Sequence, residues 1–243
     1  MESGGTSYIS GVDGISVAAH ELKSPLCLMR QLALSMDLEE APTADSLSQL
    51  QKTQRMLVDV SERALRQVND LTKIARLDYS LFPMEPVAVR SICDDVYREL
   101  SELFCQNNRK VKVRYSNKSR LVVANHELLY SVIYNFCANA MHYSDAASTS
   151  ILSVRDHAGK VRIDIRDYGP ALPLKIWRKI QSGELDAPTD IAMRPGSSGL
   201  GLYIASKFSR YMHAEVGAIR HRNGTSFFVE LPASRQLTLF SAC

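Results

Sequence analysis

Residues 20–25 read His20-Glu21-Leu22-Lys23-Ser24-Pro25, set inside an otherwise unbroken helical pattern. Around them Ile15, Ala19, Leu22, Leu26, Met29, Ala33 and Met36 recur in steps of three and four, the core stripe of a bundled helix. Pro25 has no N–H to donate and its ring crowds the carbonyl of Glu21, so the helix is expected to kink beside His20. His20 lies one step off the stripe, which turns its imidazole at least partly outward, next to a carboxylate and near a hydroxyl. A lone helix histidine is ordinarily just solvated; the rest of the chain gives this one a use.

Outward from the hexapeptide, the first helix is expected to end near Glu40, where Ala41-Pro42-Thr43 breaks the pattern. A second helix starts at Ala44-Asp45-Ser46, with a stripe of Leu50, Thr53, Leu57, Val60, Ala64, Gln67, Leu71, Ile74 and Leu81. A two-helix hairpin cannot bury so long a stripe alone, and a four-helix bundle made by two chains can. Thr53 and Gln67 fit there as polar positions that set register. Leu81-Phe82-Pro83-Met84-Glu85-Pro86 is the expected linker.

The texture beyond it is mixed α/β. Helices are expected at Val89–Cys105, Glu127–His142 and Leu200–Met212. Strands are expected at Lys110–Tyr115, Leu121–Val123, Ser150–Asp156, Lys160–Asp167, Glu215–Arg220 and Ser226–Leu231. Residues 168–198, with four prolines, read as irregular.

Composition narrows the function. With 243 residues there is length for one large or two modest domains. A net charge of +3 is too mild for a nucleic-acid binder, which shows a concentrated basic patch. The 5 cysteines are scattered without a Cys-x-x-Cys pair and read as reduced thiols of a cytoplasmic protein. No apolar run is long enough for a membrane span. The small, polar opening Met1–Ser7 reads as a linker, and the chain as a piece of a longer protein with an upstream sensing region.

Three segments carry chemistry. Asn135, Asn139 and His142 share a helix face at spacings of four and three. An Asn carboxamide oxygen is a hard neutral ligand suited to Mg²⁺. Asp167-Tyr168-Gly169 follows a strand directly; a carboxylate there can accept from an exocyclic amine such as adenine's, and the glycine lets backbone approach a flat ring. Gly196-Ser197-Ser198-Gly199-Leu200-Gly201 runs into an apolar helix, and loop amides with a helix N-terminus suit phosphates. Its spacing is not that of the dinucleotide fingerprint, and no strand precedes it. Each segment alone also reads as a polar helix face, a bare turn or a loop with a cap.

Their order is more specific than any one of them. His20–Pro25 in a helical hairpin, the Asn helix, the Asp-x-Gly turn, the Gly-rich loop and Asn223-Gly224-Thr225 before Phe227–Pro232 together resemble the sensor histidine kinases, over residues 12–232. The resemblance implies an α plus α/β protein. Residues 12–81 would be the dimerisation and phosphoacceptor domain, and residues 86–235 an α/β sandwich that binds ATP, of the type shared with gyrase, Hsp90 and MutL. It makes His20 the phosphoacceptor and Glu21 the acid that takes the imidazole proton. Ser24 matches the position that orients water for dephosphorylating a partner.

By the same likeness Asn139 is the Mg²⁺ ligand, and Asn135, His142 and Tyr143 are nucleotide contacts. Asp167 with Gly169 forms the adenine side, and Gly199, Leu200 and Gly201 the phosphate side. The implied partners are a second copy of the chain and a response-regulator receiver domain. The parent protein is expected in the cytoplasm or attached to a membrane from that side.

The chain departs from the family pattern at Ala171, which replaces a glycine, and at His142, which replaces a more usual lysine. Residues 172–195 carry no Phe-rich lid motif, with Ile176-Trp177 as a substitute for its packing. A non-catalytic scaffold, a phosphatase-type regulator and an ATP-driven machine of the gyrase or Hsp90 kind stay open as alternatives.

Overall fold

The computed structural model describes residues 22–23, 25–36, 43–77, 81–116, 121–157, 159–183 and 199–234. His20, Glu21 and Ser24 lie outside the described residues. The chain divides into two compact units, Met1–Ala75 with Ala187–Leu200 in one and Arg76–Asp186 with Gly201–Cys243 in the other.

The first unit contains helical residues at 22–23 and 25–34 (α1) and the long helix α2, Ala44–Arg76. Helix α1 stops earlier than its periodicity predicts. Ser35 is in a turn, its Oγ donating to the Leu32 carbonyl at 2.8 Å, so Met36 is off the helix. Helix α2 opens where expected, because the Thr43 Oγ1 accepts from the Ser46 N–H at 3.2 Å. It ends at Arg76, so Leu81 is not part of its stripe and stands 60% exposed. The remaining stripe residues, from Leu50 to Ile74, are the half-buried or buried face.

Among the described residues, the second unit holds two sheets and four helices. Strand β1 (Glu85–Ala88) pairs antiparallel with β3 (Leu121–Ala124). β1 lies where a linker was expected; its Pro86 is tolerated because the sheet has only two strands, so both are edges. The main sheet contains β2 (Lys110–Tyr115), β4 (Thr149–His157), β5 (Lys160–Arg166), β6 (Glu215–His221) and β7 (Gly224–Pro232) in the order β2-β4-β5-β7-β6. Only β2 and β4 run parallel; the other pairs are antiparallel.

Helices α3 (Val89–Gln106), α4 (His126–Tyr143) and α6 (Leu200–Tyr211) supply the largest core side chains, among them Phe104, Leu128, Ile133, Phe136 and Phe208. Phe136 of α4 stacks on Phe227 of β7 with centroids 5.7 Å apart. Such a core is worth roughly 1.5–3 kcal/mol per large apolar side chain buried. Asn125 caps α4 by accepting from the Leu128 N–H, while its Nδ2 donates to the Pro83 carbonyl at 3.0 Å.

Residues 168–198 are not wholly irregular. Helix α5 (Leu174–Gln181) lies among the prolines, burying Ile176 and Ile180. Trp177 Nε1 and Gln181 Nε2 both donate to the Ala218 carbonyl, at 2.9 and 3.0 Å. That carbonyl belongs to the edge strand β6, so α5 covers backbone that would otherwise be open for pairing.

Candidate nucleotide site

Asp167 is the first residue after β5 and is 3% exposed. Its Oδ1 accepts from the Gly169 N–H at 3.2 Å and the Thr225 N–H at 3.0 Å. Among the described residues, nothing donates to Oδ2. Burial pushes its carboxyl above its ordinary value, while the two N–H donors and the Arg166 guanidinium pull it back. A buried carboxylate with one oxygen saturated and the other open is built to receive one more donor.

The turn after Asp167 is held tightly against α4. A Cβ on Gly169 would overlap the carbonyl oxygen of Tyr143, so only glycine lets this backbone pass. The Asp145 N–H donates to the Tyr168 carbonyl at 3.2 Å, and the Ser144 Oγ lies 3.0 Å from the Ser150 Oγ. Further along, the Leu172 N–H donates to Thr225 Oγ1 at 3.2 Å and its carbonyl accepts from Arg220 Nε at 2.5 Å. The segment beyond Ala171 is therefore anchored through both the N–H and the carbonyl of Leu172.

The two asparagines of α4 differ in state. Asn135 donates through Nδ2 to the Ser131 carbonyl at 2.9 Å and to its Oγ at 3.3 Å. Its Oδ1 faces the start of α6, where a Cβ on Gly201 would sit 2.9 Å away. The half-exposed Asn139 carboxamide makes no hydrogen bond to a described residue. His142 and Tyr143 form the last turn of α4, both half-buried. Gly199 has φ of +70° and turns the chain into α6 at Leu200, which is fully buried.

Asn223-Gly224-Thr225 entered the sequence reading only as the last motif of the series and was not given a place in the site. Gly224 has φ of +118°, and a Cβ there would overlap the Asp167 carbonyl oxygen and lie 2.7 Å from Oδ1. The Asn-Gly pair is a strong hairpin signal, but that it closes on Asp167 follows only from the pairing of β5 with β7. The core thiols are inert: burial pushes Cys93 upward and Cys137 to about 12.

Residues 124–235 match the family of histidine kinase-, DNA gyrase B-, and HSP90-like ATPases. The adaptive-response sensory kinase SasA of Synechocystis sp. is 24% identical over 230 residues, covering 91% of this chain and 59% of that protein. Over residues 124–235 the chain is similar to that ATPase family, and relatives that match most of it are named sensory or histidine kinases. Full-length ShkA, solved in complex with AMPPNP, superposes on this chain with a TM-score of 0.60 at 21% identity, covering 93% of it and 47% of ShkA. The histidine kinase ThkA, solved in complex with the response regulator TrrA, gives 0.60 at 20% identity, covering 89% of the chain and 60% of ThkA. At such identities the structures establish a shared fold: a helical region followed by an α/β sheet domain. The chain spans 20–59% of the length of the curated relatives it first matches. Among the described residues, no helix is long and apolar enough to cross a membrane.

Proposed function

We propose that the chain is the catalytic core of a protein-histidine kinase, which takes the γ-phosphoryl group of ATP onto His20 and passes it to an aspartate of a response-regulator receiver domain. The observation that carries this reading is the state of Asp167, buried, with Oδ1 filled by Gly169 and Thr225 and Oδ2 open. That oxygen accepts the 6-amino group of adenine, and Gly169 lets the ring come close. Asn135, His142 and Tyr143 line the same helix, and Gly199, Leu200 and Gly201 receive the phosphates at the start of α6.

The unclaimed carboxamide of Asn139 fits a Mg²⁺ ligand, and a bound Mg²⁺ would supply charge neutralisation at the phosphates. At the acceptor, a ring nitrogen of His20 forms the N–P bond as the bond from the γ-phosphorus to the ADP oxygen breaks. Glu21 takes the imidazole proton, and ADP leaves. Ser24 is the position for orienting the water that would hydrolyse the regulator's aspartyl phosphate, releasing inorganic phosphate and the free carboxylate.

Support for the partners comes from relatives: SasA is named a sensory kinase, and ThkA was solved with its regulator. We assign residues 12–81 to dimerisation and phosphoacceptance and 86–235 to ATP binding, with two chains forming the bundle. A cytoplasmic location agrees with the free cysteines Cys27, Cys93, Cys105 and Cys137.

Calorimetric titration with ATP, with and without Mg²⁺, tests the nucleotide half of this reading. The wild type is expected to bind, and Asp167→Asn to lose about tenfold or more, the worth of a hydrogen bond to a carboxylate. Asn139→Ala is expected to abolish the gain in affinity that Mg²⁺ gives. Absence of binding, or binding indifferent to Asp167→Asn, overturns the assignment.

A further inference from the structure

The half-buried side chain of Arg166, the last residue of β5, joins two pieces of chain that meet at Asp167. Its Nη1 donates to the Asp167 carbonyl at 2.7 Å. Its Nη2 donates to the Asn223 carbonyl at 3.0 Å and to Asn223 Oδ1 at 2.8 Å. The guanidinium carbon also lies 4.7 Å from the centroid of the Tyr168 ring. Asn223 belongs to the turn that carries Gly224 and Thr225, and Thr225 supplies one of the two N–H donors to Asp167 Oδ1. Gly224 passes so close that a Cβ on it would be 2.9 Å from Arg166 Nη1.

We propose that Arg166 is a positioning residue for nucleobase recognition: its guanidinium fastens the Asn223-Gly224-Thr225 turn to the end of β5 and so fixes which way the Asp167 carboxylate points. With Oδ1 pinned to the Thr225 amide, Oδ2 is left aimed for the incoming amino group. Release of the turn frees the carboxylate to rotate and to fill its second oxygen with water. The planar fork suits the task, since it reaches three acceptors on two segments while lying over an aromatic ring. A lysine has the charge without that geometry. The same cation also favours the ionised, accepting form of Asp167.

The inference rests on Asp167 as the adenine acceptor, so its test uses a ligand that separates base recognition from everything else. Purine riboside triphosphate lacks only the 6-amino group of ATP. The wild-type chain with Mg²⁺ is expected to bind ATP about tenfold or more tightly than this analogue. Arg166→Ala is expected to bind the analogue as the wild type does and ATP no better than the analogue. Arg166→Lys restores part of the preference at most. Asn223→Ala, an exposed change that removes one of the three acceptors, gives a smaller loss in the same direction.

The ratio of the two affinities is insensitive to a general loss of folded protein, which lowers both together. An unchanged preference for ATP in both Arg166→Ala and Asn223→Ala overturns the role of Arg166 and leaves Asp167 untouched. A wild type without preference overturns the Asp167 reading, and this inference with it.

Discussion

Asp167 is a carboxylate that the fold holds at a cost. Because burial is the largest influence on it, its folded value lies above the 3.8 of an unperturbed group. Between those two values the folded chain binds the proton more strongly than the unfolded chain. The group's contribution to stability is therefore full below about pH 4 and is lost as pH rises through the folded value. Ionised, the side chain destabilises the domain relative to its protonated form, as a functional position can.

Asp167→Asn keeps an Oδ1 acceptor for Gly169 and Thr225 and removes the buried charge. Thermal unfolding followed by circular dichroism at pH 7 should show a midpoint equal to the wild type's or a few degrees higher, with the difference closing towards about pH 4. A midpoint clearly lower at pH 7 contradicts this account. At this scale the placement of Asp167 and Gly169 was legible, because it follows from a local strand-to-turn step. Thr225 and Arg166 as partners of the turn were not: the contact between Asp167 and Thr225 spans 58 residues, and only strand pairing creates it.

Elements with a clean period were legible, and those lacking one were missed. The alternation of Lys110–Tyr115 survives in its burial, and that of Lys160–Arg166 survives except at the buried Asp164, so both strands lie where it places them to within a residue. Helix α5 was hidden because it has only 8 residues and follows Pro173, in a stretch whose prolines suggest loop. Proline is harmless at a helix start, where the first N–H groups have no intrahelical partner.

Helix α2 shows a second consequence of pattern. Its predicted stripe is the covered face, yet Val58, Leu65 and Val68 are 45%, 64% and 41% exposed, on a second seam at steps of seven and three. Such a seam is the geometry of a coiled-coil contact. If it packs against a second copy, sedimentation should give a dimer for the wild type and a monomer for Leu65→Glu. A monomeric wild type at tens of micromolar contradicts the bundle.

Across the whole molecule, the order of motifs carried further than any of them. Asn135 and Asn139 on α4, Asp167 after β5, Thr225 on β7 and Gly201 on α6 are scattered over 91 positions, yet each is held by a bond or close approach from another of these elements, or, like Asn139, is left open beside them. In the proposed reading the region around His20 takes the phosphoryl group, and that step would separate a kinase from a scaffold or an ATP-driven machine.

That separation is measured by incubating the chain with γ-labelled ATP and Mg²⁺, beside His20→Gln. The account predicts protein-bound label in the wild type alone, lost in acid and retained in base as a phosphoramidate is. Stable label on His20→Gln, or ATP binding and hydrolysis with no labelled protein, would contradict it.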